Sequence, residues 1–256
     1  MLSKNTIKYI NSLKISKFRN EQHAFIVEGT KSVSELLQSS TEVLALYATE
    51  TWLALNPVPK TALHVVTDSE MNRISTLNTP PGILAVAKIP DFQQQHYALK
   101  GNFGLVLDGI NDPGNLGTII RSADWFGLRN IIISKDTVDP YHPKVVQSTM
   151  GSIFRIQFLE TDLEEFLSKA RSEGIKVFGA VMEGSNVYTT NLTNVSAILV
   201  IGSESHGIRM HLMKYIDSLI TIPQIKVEGN QSAESLNAAV AGSLLLAEFM
   251  RGRLIR

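Results

Sequence analysis

Three short stretches of this chain hold side chains that can bind and polarise a ligand. The first is Asp108-Gly109-Ile110-Asn111-Asp112-Pro113-Gly114-Asn115-Leu116-Gly117, followed by Arg121. Its glycines and proline make a tight loop whose backbone can approach a ligand closely. Asn115 is expected near a helix start, where its oxygen caps or its amide binds substrate. Arg121 carries a guanidinium fork suited to a phosphate or to developing oxyanion charge. The second stretch is Gly202-Ser203-Glu204-Ser205-His206-Gly207. Glu204 can orient an arginine or accept a substrate hydroxyl. His206 reads as a general base, a metal ligand or an ordinary loop residue; no second histidine stands nearby at ligand spacing, so no metal is expected. The third runs from Ile222-Pro223 to Ser235-Leu236-Asn237 and opens a helix with Ala238, Ala239, Ala241, Gly242 and Ser243. Ser235 is the expected cap of that helix. Each stretch alone also has a plain structural explanation: a capped helix with a solvated arginine, a glycine-bounded turn, a tightly packed helix. G-x-G-x-x-G is absent after the strand that precedes the first loop, so there is no dinucleotide fingerprint.

The elements that must hold these loops follow from hydrophobic patterning. Apolar runs at 104–107, 130–134, 176–181, 197–201 and 219–222 read as strands, with helical stretches between them. Strands alternating with helices imply a largely parallel α/β sheet, which binds ligands beyond the carboxyl ends of its strands. All three loops stand at such ends. Before residue 90 the elements are shorter. Ser3 caps a helix carrying Ile7, Ile10 and Leu13. Strands are expected at 24–27, 42–47, 63–67 and 83–86, with a helix bearing Val33, Leu36 and Leu37 after Glu28-Gly29-Thr30. Residues 90–102, PDFQQQHYALKGN, lose periodicity and turn polar. The expected division is a small N-terminal α/β domain over 1–95, a linker at 96–102 and a larger α/β domain over 103–256.

The chain has 256 residues, 24 Lys+Arg against 24 Asp+Glu, and no cysteine. The missing cysteines exclude a disulfide framework, a thiolate zinc site, an Fe–S cluster and a cysteine nucleophile. No run reaches the roughly 18 apolar residues of a membrane helix, and Met1-Leu2-Ser3-Lys4-Asn5-Thr6 lacks an apolar leader core. The expectation is a soluble, cytoplasmic protein. Neutrality argues at first against a nucleic-acid partner. The charge is uneven, however. Residues 1–31 hold Lys4, Lys8, Lys14, Lys17, Arg19 and Lys31 against Glu21 and Glu28, and the last six residues add three arginines. These ends read either as a phosphate-facing surface or as solvated termini.

Taken together, the three loops resemble the three motifs of the SpoU/TrmH family of RNA ribose methyltransferases. The first resembles its asparagine–arginine motif, Asn111 through Arg121 to Phe126-Gly127. The second resembles its Gly-x-Glu-x-x-Gly motif, and the third its Ile-Pro…Ser-Leu-Asn motif. Lys144-Val145-Val146, Gly151 and Phe154 resemble the stretch the family carries between its first two motifs. Phe25-Ile26-Val27-Glu28-Gly29 resembles the start of the family's small α/β substrate-binding domain. One departure stands out: residues 224–234 place eleven residues between Pro223 and Ser235, about twice the number in many members, with the excess around Lys226-Val227-Glu228-Gly229-Asn230-Gln231.

The resemblance implies a deep C-terminal trefoil knot, S-adenosylmethionine bound at that knot, a homodimer, and methyl transfer to a ribose 2′-oxygen of RNA. It implies that Gly202, Ile222 and Leu236 border the cofactor and that Asn115, Arg121, Glu204, Ser235 and Asn237 form the reaction side. Arginine stays protonated at neutral pH. Arg121 is therefore read as a phosphate clamp and a stabiliser of alkoxide charge, with the proton leaving through the phosphate, Glu204 or water. The basic N-terminal segment, with Lys14, Lys17 and Arg19, is the expected RNA grip. Ribosomal RNA is expected before transfer RNA, because a separate N-terminal domain suits a larger structured RNA. Two other readings compete: a catalytically silent RNA-binding or ribosome-assembly protein on the same scaffold, and a nucleotide-binding α/β enzyme unrelated to RNA.

Overall fold

The structure, a computed structural model, describes residues 1–58, 62–91, 103–192, 196–225 and 233–254. The linker expected at 96–102 and the additional residues 226–231 lie outside these. The chain forms two compact units, Met1–Asp91 with Asp139–Arg155, and Phe92–Val138 with Ile156–Arg256.

The first unit contains α1 (Lys4–Ser12), α2 (Ser16–Gln22), β1 (Ala24–Glu28), α3 (Thr30–Gln38), β2 (Val43–Thr49), α4 (Glu50–Leu53), β3 (Leu63–Val66), α5 (Asp68–Ile74) and β4 (Ile83–Lys88). Its sheet runs β1-β4-β2-β3, with β4 antiparallel to both neighbours and β3 parallel to β2. Ser3 caps α1 as expected, its Oγ accepting from the Thr6 N–H at 3.0 Å. Ile7, Ile10 and Leu13 pack with Ile26, Leu84, Val86 and Ile74 in the core.

Residues 139–155 belong with this unit rather than with the larger domain to which the sequence reading assigned them. The cause is physical. β1 is a sheet edge, yet all five of its residues are buried. A helix at Pro143–Thr149 packs against it, which helps to bury the strand. The Phe25 ring meets Tyr141 at 4.8 Å and Phe154 at 6.5 Å. Gly151 has φ +99°, and a Cβ there would lie 2.5 Å from the Glu35 Cγ. Only glycine meets both conditions.

The second unit holds β5 (Phe103–Asp108), α6 (Pro113–Trp125), β6 (Asn130–Ser134), then, after the helix at Pro143–Thr149 (α7), β7 (Gln157–Thr161), α8 (Leu163–Ser172), β8 (Lys176–Asn186), β9 (Ala197–Gly202), β10 (Ser218–Thr221) and α9 (Ala238–Leu254). Its six strands are all parallel, in the order β10-β8-β9-β5-β6-β7. The unbroken apolar runs of β5, β6 and β9 are buried, as central strands covered on both faces must be. β7 was not expected from sequence. It is a half-exposed edge strand, QFLET, and lacks the long apolar run that marks its neighbours. The ends of β5, β9 and β10 deliver the three loops.

Candidate active site

Each loop contributes one polar group to a shared cluster. α6 begins at Asp112, whose Oδ1 accepts from the Asn115 N–H at 2.8 Å, with Pro113 in the first turn. This cap fixes the turn that carries Asn115. The Asn115 side chain is therefore left free for other partners. α9 is capped by Asn237 and not by Ser235. The Asn237 Oδ1 accepts from the N–H groups of Ala239 at 3.0 Å and Val240 at 3.3 Å. Ser235 sits in an exposed bend two residues earlier. The expected cap was the wrong residue because the helix starts only at Ala238.

Between these two helix starts lies Glu204. Its Oε1 accepts from Asn115 Nδ2 at 2.9 Å, from Asn237 Nδ2 at 2.7 Å and from the Ala238 N–H at 3.0 Å. Asn237 Nδ2 also donates to Asn115 Oδ1 at 2.8 Å. The ring is chemically complete: an amide nitrogen has two N–H donors, and Asn237 uses one for each neighbour. The start of α9 meets the carboxylate directly through the Ala238 N–H, which is the favourable polarity. Three donors also exceed the lone pairs of one carboxylate oxygen. Glu204 therefore serves as the post that ties the loops together, and Oε1 has no capacity left for a substrate hydroxyl.

The other expected site residues are placed differently. Arg121 is exposed on α6, six residues beyond Asn115, with no hydrogen bond or ion pair among the described residues. Six residues of helix turn the side chain through about 120° and raise it about 9 Å. Arg121 thus stands apart from the Glu204 cluster. It shares an exposed stripe with Trp125, which is 84% exposed, and the neighbouring helix α9 exposes Val240 and Leu244. His206 is exposed, its Nδ1 2.7 Å from Ser205 Oγ. Among the described residues no group of three or more His, Cys, Asp or Glu could hold a metal ion.

Gly202 is buried. A Cβ there would lie 2.0 Å from the Gly207 carbonyl carbon. The glycine lets the Glu204 loop fold back on itself, where Ser203 and Gly207 bridge. Ile222 is half-buried and Leu236 is exposed. With the exposed Ile225 they leave apolar surface at the strand ends. At the base of the third loop Gln224 Nε2 donates to the Ala233 carbonyl at 2.7 Å. Gly242 brings α9 close to the sheet: a Cβ there would be 3.0 Å from Ile201 Cδ1. Ser122 and Ser243 join α6 to α9 at 2.7 Å.

Arg19 is corrected outright. It is 1% exposed, its Nη2 lies 2.6 Å from Asp139 Oδ2, its Nε donates to the same oxygen at 2.9 Å, and Nη1 donates to the Leu13 carbonyl at 2.9 Å. A guanidinium so engaged cannot grip RNA. Lys14 is half-buried and donates to the Ser75 carbonyl at 2.7 Å. Burial pushes its ammonium below the usual lysine range, with Glu28 opposing. Lys17 is exposed, with Glu21 at 3.9 Å.

Sequence reading passed over one pair. Asp108, at the end of β5, has a side chain with no exposure and is bonded to Arg209. A carboxylate ending a buried apolar strand is the signal that could have marked it, since a buried charge demands a partner.

An all-parallel α/β unit with its polar loops gathered at the strand ends is a ligand-binding α/β domain. Residues 102–247 match the SpoU rRNA Methylase family, and residues 4–85 match the MRM3-like substrate binding domain. The chain belongs to the SpoU rRNA methylase family. It is 29% identical over 241 residues, 94% of each chain, to the 23S rRNA (guanosine(2553)-2'-O)-methyltransferase RlmP of Bacillus subtilis. A TrmH-family protein from Porphyromonas gingivalis superposes with a TM-score of 0.86 at 38% identity, covering 98% of this chain and 99% of that one. An AdoMet-bound rRNA methyltransferase from Sinorhizobium meliloti gives 0.81 at 29% identity, covering 98% and 96%.

Proposed function

We propose that this protein methylates a ribose 2′-hydroxyl of a structured RNA, ribosomal RNA before transfer RNA, using S-adenosylmethionine. The observation that carries the reading is the meeting of all three family loops on one oxygen of Glu204. S-adenosylmethionine supplies an electrophilic methyl on its sulfonium, and the half-buried Ile222, the exposed Leu236 and their backbone groups fit it. The knot implied by family membership is where these loops would hold it.

The chain's own contribution is positional and electrostatic. Asn115, held by Glu204 and Asn237, keeps one amide N–H and one oxygen lone pair to orient the ribose, and Asn237, whose amide is fully used, positions Asn115. Arg121, exposed and unengaged among the described residues, meets the phosphate and the developing 2′-oxyanion. The proton leaves through the substrate phosphate, water or the second oxygen of Glu204, since Oε1 is fully occupied. Direct transfer fits a chain without cysteine.

The exposed stripe of Arg121 and Trp125, with Val240 and Leu244 on α9, supports a homodimer that covers these side chains and encloses Arg121. The N-terminal unit is the RNA-binding part, with Lys17 among its exposed cations. No helix among the described residues is long and apolar enough to cross a membrane, and action on ribosomal RNA fits the cytoplasm. The test is to delete the gene and map 2′-O-methyl groups across ribosomal and transfer RNA. Loss of one ribosomal position, restored by the wild-type gene, is the expected result; an unchanged map would refute the proposal.

A further inference from the structure

Asp108 ends β5 directly beside Gly202, its register partner on β9. Gly202 is where the Glu204 loop departs, and Arg209 is where it ends. Asp108 holds that far end by three contacts: Arg209 Nε to Oδ1 at 2.6 Å, Arg209 Nη2 to Oδ1 at 2.5 Å, and the Arg209 N–H to Oδ2 at 2.8 Å. The third is a main-chain bond, so the carboxylate fixes the backbone of the loop as well as a side chain. Arg209 Nη1 lies 3.5 Å from Asp136 Oδ1. A hydrogen bond from Ser134, and the Arg209 charge, hold the Asp136 carboxyl below the usual range. Asp108 also opens the first loop, which carries Asp112 and Asn115. One buried carboxylate therefore stands at the root of two of the three loops that meet in the Glu204 cluster, while neither Asp108 nor Arg209 is bonded to that cluster.

We infer that Asp108 and Arg209 form a latch that positions Glu204 against Asn115 and Asn237, and that turnover depends on the latch through Glu204 alone. The inference rests on the methyltransferase reading for its kinetic arm and on structure alone for its second arm. A buried ion pair suits this task because a carboxylate left without its partner is strongly unfavourable, so the loop has one well-defined seat. Misplacing a catalytic group by about 1 Å can cost on the order of 10²-fold in rate.

The test uses the full-length protein as Asp108→Asn with Arg209→Met, a double substitution that leaves no unpaired buried charge. Methylation of ribosomal RNA should fall by on the order of 10²-fold in kcat, with the S-adenosylmethionine Kd and KM for RNA changed less than about threefold. In a Glu204→Gln background the same double substitution should cost less than about threefold more, because groups acting through one another are not additive. Restoring Asp108 alone with Arg209→Lys should recover part of kcat. Multiplying losses in the Glu204→Gln background would overturn the latch. Amide exchange supplies the arm that needs no activity. The double variant should exchange residues 203–209 at least about tenfold faster, with β5 and β9 still protected, as local opening predicts. Unchanged exchange in 203–209 would overturn the inference even if the wild-type protein proved inactive on RNA, a result that would count separately against the methyltransferase reading.

Discussion

In the first unit Arg19 is enclosed, bonded to Asp139 and to the Leu13 carbonyl. In the second, Arg121 lies on the open face of α6 with no partner among the described residues. The two residues are chemically identical, and both were expected to meet RNA. The difference shows what burial decides. A buried guanidinium must be fully paired or its desolvation is ruinous, so Arg19 serves the fold: it ties α2 to the segment 139–155. An exposed guanidinium with unused donors remains available to a ligand, and the fold gains nothing from it. The same distinction separates Lys14, drawn in to Ser75, from Lys17, which stays in water.

Substitutions at these two arginines should therefore separate stability from chemistry. Arg19→Ala leaves Asp139 without its cation, and breaking a buried pair costs about 3–5 kcal/mol. A denaturant titration should show that loss, while S-adenosylmethionine binding by the second unit persists below the transition. Retention of full stability would show that the latch to Asp139 is idle. Arg121→Ala should do the reverse. Turnover should drop by about 10²–10³-fold, the cost of one charge-stabilising donor, with melting and calorimetric cofactor affinity close to wild type; wild-type methylation by this variant would remove Arg121 from the reaction. Asn237→Ala belongs to both categories, since Asn237 caps α9 and holds Glu204. Losing the cap should cost about 1 kcal/mol, alongside a fall in kcat. A stability loss with unchanged kcat would reduce Asn237 to a cap. Lys17→Ala is the smallest: its exposed pair with Glu21 is worth at most about 0.5 kcal/mol. RNA binding should weaken evenly, and its salt slope should shrink by about one. An unchanged slope would place the RNA elsewhere.

Much of the second unit could be read from its residues. β5, β6 and β9 are unbroken apolar runs, and the three polar loops follow β5, β9 and the shorter β10. Asn115, Glu204 and Asn237 were chosen from loops up to 122 positions apart, and they meet. What was not legible depended on distant partners or on side-chain direction. Nothing local to Arg19 says that Asp139, 120 positions away, will bury it. Nothing near Asp108 announces Arg209, 101 positions on. Ser235 and Asn237 are both good caps by type, and only the start of α9 at Ala238 decides between them. Residues 139–155 continue the patterning of the larger domain, so their packing against β1 is visible only once Phe25, Tyr141 and Gly151 are seen together.

The most direct measurement is methyl transfer in vitro. Ribosomal RNA from a strain lacking this gene would be incubated with the purified protein and S-adenosylmethionine labelled in its methyl group. The label would then be located by alkaline resistance and nucleotide mapping. The account predicts a single labelled ribose 2′-oxygen with wild-type protein and almost none with Arg121→Ala, at equal cofactor binding. Label on a base, or no label in any RNA offered despite bound cofactor, would contradict it.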